Sequence, residues 1–184
     1  VFDEKGKLIG TYRKLHVPHD PFFYEQAYFA KGDKGFCICK TRYGNISAPI
    51  CYDQWFPEAA REIAIMGADI IFYPTTIGLI DGNDQKYGSW QDAWETIQRS
   101  HAIANSVVVA AVNRVGQEGK LRFWGGSFIC NQFGKVLARG GNEEEIIIAN
   151  VDVAAGKKIR DDWRFVRERR PELYKNICKK WDVK

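Results

Sequence analysis

The alternation of buried strands with amphipathic helices constrains the fold of this chain more than any other feature. Residues 68–74 and 107–112 are almost continuously apolar, which is typical of strands buried on both faces of a sheet. Apolar residues recur with helical spacing over 56–67 and 89–105, so a helix precedes each of these strands. With the alternating segment 46–50 in front, the pattern predicts two successive β-α-β units and therefore a parallel sheet.

The second half of the chain has a different pattern. Short strands separated by turns are predicted at 127–130, 135–138 and 145–151, and we expect them to extend the sheet in antiparallel fashion. A charged terminal helix is predicted over 154–180, interrupted at Pro171. A mixed sheet with helices on the outside favours a layered α/β sandwich over a barrel.

The chain before the first helix is rich in turns and loops. A turn at 3–6 and a returning strand at 8–12 predict a hairpin that the first residue, Val1, enters midway, as in a fragment. Lys14 lies at the end of that strand. Residues 16–34 carry prolines, glycine and many aromatic residues without a clear period, and they predict a long loop of the kind that often carries function.

The composition argues against several classes of protein. Lys and Arg number 27 against 23 Asp and Glu, and the basic residues gather mainly in 157–170, which is more typical of a solvated helix face than of a nucleic-acid site. No run of 18 apolar residues and no signal peptide occurs, so we expect a cytoplasmic protein that binds no membrane and no nucleic acid. The 184 residues suit a single domain, 1–184.

The five cysteines lie at 37, 39, 51, 130 and 178, without a CxxC pair or a histidine at ligand spacing. This spacing argues against a zinc site and a disulfide framework, and it fits a reducing cytosol. Cys37 and Cys39 share one face of a predicted strand, where core packing is favoured over a metal role. We therefore expect no metal in this protein.

Cys51 lies where the period of the sequence changes from strand to helix. Ile46, Ala48 and Ile50 alternate before it, and Pro57 suits the first turn of the helix after it. A thiol at a helix start is exposed to ligands, and the partial positive charge there favours its thiolate. Because free cysteine is also among the most buried residue types, position alone leaves a packing role equally open.

A cysteine nucleophile needs a nearby base or cation, and it needs donors for the oxyanion that forms when it attacks a carbonyl. His16 and His19 lie in the long loop, and His101 lies on a helix stripe, where a packed side chain is more typical. A Cys–His enzyme is an open alternative that no motif supports. Lys14 offers a fixed cation instead.

Several segments, in order along nearly the whole chain, resemble landmarks of the nitrilase superfamily of carbon–nitrogen hydrolases. They are residues 12–18, 23–33, 49–53, 73–78, 113–116, 124–127 and 169–174. Each segment alone is a weak signal, whereas the ordered set is specific. The resemblance implies an α/β fold, the four-layer α-β-β-α sandwich of the nitrilase type. It also implies a homo-oligomer that uses no metal or organic cofactor.

The resemblance also implies a Glu-Lys-Cys catalytic set. In this chain Cys51 matches the nucleophile, and Lys14 matches the lysine that supports the oxyanion. Glu25 matches a second acidic residue that orients the lysine and the substrate, although without the resemblance it would be read as a solvated loop carboxylate. The backbone N–H of Tyr52 would be the other oxyanion donor.

The sequence departs from the family pattern at the general base. In the family this glutamate lies well before the lysine, and neither Asp3 nor Glu4 replaces it, because both lie in a predicted solvent-facing turn. We therefore expect an N-terminally truncated copy of a working enzyme. We expect the 184-residue chain alone to be inactive, because a missing base leaves the thiol poorly activated.

The residues after the cysteine indicate a branch of the superfamily. Relatives that act on carboxylate-bearing ureas tend to place arginine or histidine there, whereas Asp53 and Trp55 lie in a segment that resembles members acting on a small-molecule carbamoylated amine. Acidic and aromatic side chains suit an ammonium group. Thr76 and Trp124, which belong to two of the landmarks, complete the expected substrate-binding set. A role for Trp55 in packing the helix start is equally open.

The sequence thus predicts an amidohydrolase that cleaves a non-peptide carbon–nitrogen bond of a carbamoylated amine through a covalent cysteine intermediate. The products would be the free amine, carbon dioxide and ammonia. Another superfamily amidase, acting on a carboxylate-bearing urea or an aliphatic amide, is the nearer alternative. The other alternative is an inactive assembly module with a subunit interface on the terminal helix, which carries Arg164, Arg167, Arg169 and Arg170.

Overall fold

The computed structural model describes residues 1–82 and 86–181, and these residues form nine strands and three α-helices. The elements are, in chain order, β1 (Cys39–Thr41), β2 (Gly44–Ser47), α1 (Pro57–Ile65), β3 (Ile70–Thr75), β4 (Gly78–Ile80), α2 (Trp90–Asn105), β5 (Val108–Asn113), β6 (Val115–Glu118), β7 (Leu121–Trp124), β8 (Phe128–Cys130), β9 (Val136–Arg139) and α3 (Val153–Trp163). Short 3-10 helices form at Glu25–Ala27, Cys51–Trp55, Pro171–Leu173 and Lys175–Cys178. The fold is a mixed α/β structure.

The larger sheet has six strands in the order β1-β2-β3-β5-β8-β9. β3 pairs with β2 and with β5 in parallel, and α1 and α2 are the connections, so both predicted β-α-β units are confirmed. β8 and β9 add to the sheet in antiparallel fashion, as predicted for residues 127–138. The register of β3 on β5 runs from Ile70 opposite Val108 to Thr75 opposite Asn113.

Three parallel strands bring their carboxyl ends to one edge of this sheet. Because β2, β3 and β5 run in the same direction, the residues that follow them lie at the same edge, where α/β folds usually bind ligands. Cys51 follows β2, Thr76 follows β3, and Asn113 closes β5. The topology therefore brings together side chains that are far apart in the sequence.

One apolar core joins the two long helices to the larger sheet. Ile63 of α1 and Trp94 of α2 are fully buried together with Ile71 of β3 and Val109 of β5. Burying an aliphatic side chain of this size contributes about 1.5–3 kcal/mol. None of the helices within residues 1–82 and 86–181 is both long and apolar enough to cross a membrane.

A second, three-stranded sheet has the order β4-β7-β6, with antiparallel pairing throughout. The sequence predicted an all-β pattern here but not a separate sheet. Gly78 permits the close pairing of β4 with β7, because a Cβ at this position would lie 2.5 Å from the carbonyl oxygen of Arg122.

Two predicted strands are not found in the described residues. The predicted strand 8–12 is represented only by an isolated bridge between Phe2 and Leu8. Residues 145–151 form no strand, and Ile146 and Ile148 are 90% and 82% exposed. These two predictions were wrong because turn residues and a short apolar run indicate only that a strand is possible, whereas a strand also needs a neighbouring backbone with which to pair.

The predicted terminal helix 154–180 is also wrong beyond its first ten residues, since α3 ends at Trp163. Arg164 has φ 51°, in the left-handed region, and its N–H donates to the carbonyl of Arg160. The following residues lack a continuous apolar stripe, so packing does not stabilise a longer helix. The four arginines proposed for a helical interface therefore follow the helix instead of lying along it.

Candidate active site

Cys51 is the first residue of the 3-10 helix Cys51–Trp55, which lies in the connection between β2 and α1. Its φ is 47°, in the left-handed region that residues other than glycine rarely adopt. Its side chain is half-buried. The predicted strand-to-helix turn is confirmed, although a 3-10 helix, and not α1, begins at the cysteine. Such backbone outliers cluster at functional sites, and Cys51 is one of four non-glycine residues with a positive φ in the described part of the chain.

Cys51, Lys14 and Glu25 line one cavity of about 790 Å³. Lys14 Nζ donates to Glu25 Oε2, and the side chains of this ion pair are 13% and 29% exposed. Glu25 begins the 3-10 helix Glu25–Ala27 within the predicted long loop. The structure therefore brings together the three residues to which the family resemblance gave catalytic roles, and those roles stay predictions.

The long loop is held against the lysine by a close backbone approach. The N–H of Gly32 donates to the carbonyl of Lys14 at 2.7 Å. A Cβ at Gly32 would lie 2.2 Å from the carbonyl oxygen of Arg13, so only glycine allows this approach. Further along the loop, Gln26 Nε2 donates to the carbonyl of Val17 at 2.7 Å. These contacts fix the position of Lys14 without a strand.

The backbone N–H of Tyr52 is free to bind an anion. None of the described residues accepts a hydrogen bond from it, whereas the next N–H, that of Asp53, donates to the carbonyl of Ile50 at 3.1 Å. A free N–H at a helix start and an ammonium group are the kinds of donors that stabilise a tetrahedral oxyanion. The predicted role of Tyr52 stays a prediction that this arrangement allows.

Thr76, an expected substrate-binding residue, lines the same cavity together with Asn113 and Arg114. Asn113 Oδ1 accepts from the Ile77 N–H at 2.9 Å, and Nδ2 donates to the carbonyls of Ile77 and Gly125 at 3.0 Å each. This side chain holds together the segments that follow β3 and β7. In the sequence Asn113 is visible only as part of a landmark, because its hydrogen-bond partners are set by the tertiary structure.

Asp53 is not placed to contact the substrate, which corrects the sequence-based prediction. It is fully buried, and both carboxylate oxygens are occupied. Oδ2 accepts from the Tyr12 hydroxyl at 2.7 Å and from the Ile50 N–H at 2.9 Å. Oδ1 accepts from the His16 N–H at 3.0 Å and lies 2.7 Å from His16 Nδ1. Asp53 thus ties the Cys51 turn to the segment that carries Lys14.

The hydrogen bonds determine the charge of this carboxylate. Burial by itself raises the pKa of Asp53, but the bonds from His16, Ile50 and Tyr12 outweigh burial and lower the pKa below its usual value. The pKa of the Tyr12 hydroxyl, which donates to Asp53, is raised. Burial is the larger cause, and the hydrogen bond to Asp53 is the next. Asp53 is therefore an ionised structural centre.

Asp53→Asn is expected to lower the free energy of unfolding by about 2 kcal/mol, because the amide can satisfy only part of this set of donors. Since the folded pKa is depressed, the stabilisation by Asp53 is present above the unfolded pKa near about 4 and is lost as pH falls through the folded value. Urea unfolding from pH 7 to 3 should show a flatter loss of stability in the variant. Exposed Asp33, paired with Arg13, is the control, and an equal effect of Asp33→Asn would contradict this role.

Gln54 is a second buried polar residue that holds the Cys51 turn in place, and the sequence did not indicate this role. Its Oε1 accepts from Trp94 Nε1 at 2.9 Å, and its Nε2 donates to Thr75 Oγ1 at 3.2 Å. Its backbone carbonyl lies 2.8 Å from His101 Nε2. The 3-10 helix that begins at Cys51 is therefore bonded to both α2 and β3. The sequence shows only a polar residue after an apolar strand, and this pattern is too common to predict that Gln54 would bond to α2 and β3.

The Cys–His alternative has no histidine at the cysteine. None of His16, His19 and His101 lines either cavity that includes Cys51. His16 stacks on Phe56 with ring centroids 3.7 Å apart. His101 is buried, which lowers its pKa, and it packs as the helix stripe predicted.

Cys37 and Cys39 lie with their Sγ atoms 3.7 Å apart. They pack against Gly10, since a Cβ there would be 2.2 Å from Cys39 Sγ. Burial raises the pKa of the Cys39 thiol. Across residues 1–82 and 86–181, no cluster of three or more His, Cys, Asp or Glu residues could hold a metal ion.

The two tryptophans predicted to bind substrate lie in different places. Trp55 is partly buried against the core and also lines a second cavity, of about 430 Å³, that shares Cys51 and Thr76 with the first. Trp124 lines neither of these cavities; it lies edge-on to Trp94 with ring centroids 6.0 Å apart. Trp124 is partly buried and packs against the core, and its role in substrate binding stays a prediction.

Known proteins of similar sequence include carbon–nitrogen hydrolases. The model of the carbon-nitrogen hydrolase family matches residues 1–161. The N-carbamoylputrescine amidase of Solanum tuberosum is 41% identical over 187 residues, which cover 95% of this chain and 61% of the relative. The chain thus spans about three fifths of the length of this curated relative.

Two solved structures are similar along almost the whole chain. The carbon-nitrogen hydrolase from Helicobacter pylori G27 has a TM-score of 0.94 and 41% identity, covering 98% of this chain and 65% of that one. A variant of the amidase from Nesterenkonia sp. AN1 has a TM-score of 0.78 and 26% identity, covering 96% and 59%, and carries the acetamide moiety of fluoroacetamide covalently at its active-site cysteine. This chain belongs to the carbon-nitrogen hydrolase family.

Proposed function

We propose that the protein containing this chain is an amidohydrolase that cleaves N-carbamoylputrescine to putrescine, carbon dioxide and ammonia. One observation carries the proposal: Cys51, at the start of a helix, shares a cavity with the Lys14–Glu25 ion pair. The family membership and the covalent adduct on the cysteine of the Nesterenkonia amidase support a nucleophilic role for the cysteine. The identity to the potato enzyme supports the substrate.

The proposed reaction begins when the Cys51 thiolate attacks the ureido carbon. A carbon–sulfur bond forms, and the carbonyl oxygen becomes an oxyanion that Lys14 and the Tyr52 N–H stabilise. The bond to the NH₂ group then breaks, and ammonia leaves after taking a proton. A carbamoyl thioester remains on the cysteine.

Water then attacks this thioester and releases the thiolate and the carbamate of putrescine, which decomposes to putrescine and carbon dioxide. Glu25 orients Lys14 through their ion pair. We assign the general-base step to no residue of this chain, because the resemblance places that glutamate ahead of the lysine. Each proposed step uses side chains and water, without a metal or organic cofactor.

The same resemblance supports three structural proposals. The two sheets and their helices form the larger part of one domain, 1–184, of a four-layer α-β-β-α sandwich. The protein is a homo-oligomer in the cytoplasm. Its partner is a small carbamoylated amine, and it binds neither nucleic acid nor membrane.

A substrate panel tests the reaction in the full-length protein that contains this chain. We expect ammonia release from N-carbamoylputrescine with a kcat/KM at least about tenfold above that for N-carbamoyl-β-alanine or butyramide, because a pocket that pairs with a charged group rejects analogues without it. The reverse order would identify another amidase of the family. Absence of ammonia from all three would favour the inactive assembly module.

A further inference from the structure

The second cavity at Cys51 has an aromatic and apolar lining. Its volume is about 430 Å³, and it shares Cys51 and Thr76 with the cavity that holds Lys14 and Glu25. Four aromatic side chains line it: Phe23, Tyr52, Trp55 and Trp90. A chain that extends from a carbonyl held at Cys51 can therefore enter an aromatic compartment.

Asp20 is the one charged side chain among the described residues that line this second cavity. It is exposed, and its carboxylate forms no hydrogen bond or ion pair within residues 1–82 and 86–181. Its backbone is fixed, because the Phe23 N–H donates to the Asp20 carbonyl at 2.8 Å and the two residues form a β-bridge. Flanking Pro18 and Pro21 further restrict the turn. The carboxylate is thus held at the cavity with its charge unpaired.

The charge of Asp20 reaches the aromatic lining. Burial first, and then the negative charge of Asp20, raise the pKa of the Tyr52 hydroxyl. A carboxylate that disfavours a second negative charge in the cavity also favours a positive one there. An ammonium group would gain both this charge pair and cation–π contacts with the aromatic rings.

We propose that Asp20 and the aromatic walls of the second cavity bind the terminal ammonium group of the substrate, so that Asp20 sets the preference for amine-bearing substrates. This inference rests on the proposed function and replaces Asp53, which is buried and fully bonded, as the acidic partner of the amine. The two cavities then bind different parts of the substrate. The first holds the reacting carbonyl, and the second holds the charged tail.

The test uses a pair of alkylating probes that differ only in charge at the tail. N-(4-aminobutyl)iodoacetamide ends in an ammonium, and N-pentyliodoacetamide has the same length but ends in a methyl group. Both are reacted with the full-length protein that contains this chain, and mass spectrometry of its peptides measures the rate at Cys51. Asp20→Asn is compared with Glu143→Gln, which removes an exposed charge that lines neither Cys51 cavity. Circular dichroism confirms that each variant is folded.

We expect the cationic probe to label Cys51 about three- to tenfold faster than the neutral probe, the range that a partly exposed charge pair with a cation–π contact supports. The ratio should fall to about one in Asp20→Asn and stay unchanged in Glu143→Gln. In the full-length enzyme, Asp20→Asn should raise KM for N-carbamoylputrescine by a similar factor and leave the kinetics with butyramide unchanged.

The outcomes separate the two proposals. If Cys51 reacts readily but shows the same probe ratio with and without Asp20, the proposed function stands and the role of Asp20 is wrong. If neither probe labels Cys51 faster than the exposed Cys178, the proposed function fails and the inference fails with it. A drop in the ratio confined to Asp20→Asn supports both.

Discussion

Cys51→Ala is expected to reduce ammonia release from N-carbamoylputrescine at least about 1,000-fold in the full-length protein, because the covalent intermediate can then no longer form. Alanine suits the site structurally. It is smaller than cysteine, and it carries the same Cβ at the left-handed backbone position, so it adds no new strain at φ 47°. The free energy of unfolding should therefore change little, and the lost rate can be assigned to chemistry.

Cys178→Ala is the matched control, since Cys178 is an exposed thiol far along the chain from the site. It should retain full activity. Alkylation adds an independent measurement: iodoacetamide should modify Cys51 faster than Cys130, whose burial raises the pKa of its thiol to about 12. Equal alkylation rates, or ammonia release that survives Cys51→Ala, would contradict the nucleophilic role.

Lys14→Gln is expected to reduce kcat by about 100- to 1,000-fold, the usual effect of removing one oxyanion donor. KM should change less, because the oxyanion exists in the transition state and not in the bound substrate. The measurement is steady-state ammonia release with N-carbamoylputrescine. The thermal unfolding of the variant should also be recorded, because the change leaves the carboxylate of Glu25 without its cation.

Two further variants distinguish a loss of oxyanion stabilisation by Lys14 from a general structural effect. Arg13→Gln breaks the neighbouring ion pair with Asp33, which is exposed, and it should leave kcat close to that of the parent protein. Glu25→Gln keeps Lys14 but weakens its orientation, so we expect a smaller loss than for Lys14→Gln. A loss for Arg13→Gln as large as for Lys14→Gln would show that the effect is structural.

The sequence was a good guide to the elements that carry the parallel sheet. Strands and helices over residues 46–112 were predicted from the spacing and number of their apolar residues. This worked because each of these elements is stabilised by burying its apolar face, and the spacing of apolar residues shows where that face lies. Prediction failed at residues 145–151 and beyond Trp163. At residues 145–151 an apolar run has no neighbouring strand with which to pair among the residues that the structure describes, and beyond Trp163 the chain lacks the continuous apolar stripe that packing of a longer helix would need.

The candidate site was predicted in part. Lys14, Glu25, Cys51 and Thr76 all line one cavity, as the ordered landmarks suggested. Asp53 and Trp124 were assigned to the substrate because an acid after the cysteine and a tryptophan in a landmark suit an amine. The structure places both in the protein interior or against the core. Residue type and spacing indicate which chemistry a side chain could perform. Whether a ligand can reach that side chain depends on its burial, which the sequence pattern does not show.

By itself the amino-acid sequence determined the β-α-β order, the cysteine at the start of a helix and the family to which the chain belongs, because period and motif order are properties of neighbouring residues. Only the tertiary structure decided which acid is buried and hydrogen-bonded and which lines a cavity. Asp53 takes its partners Tyr12 and His16 from 41 and 37 residues away in the chain, while the carboxylate of Asp20 has no hydrogen-bond or ion-pair partner among the described residues, and Asp20 lines the aromatic cavity. Hydrogen bonding over such distances depends on how the chain folds back on itself, and no local pattern encodes it.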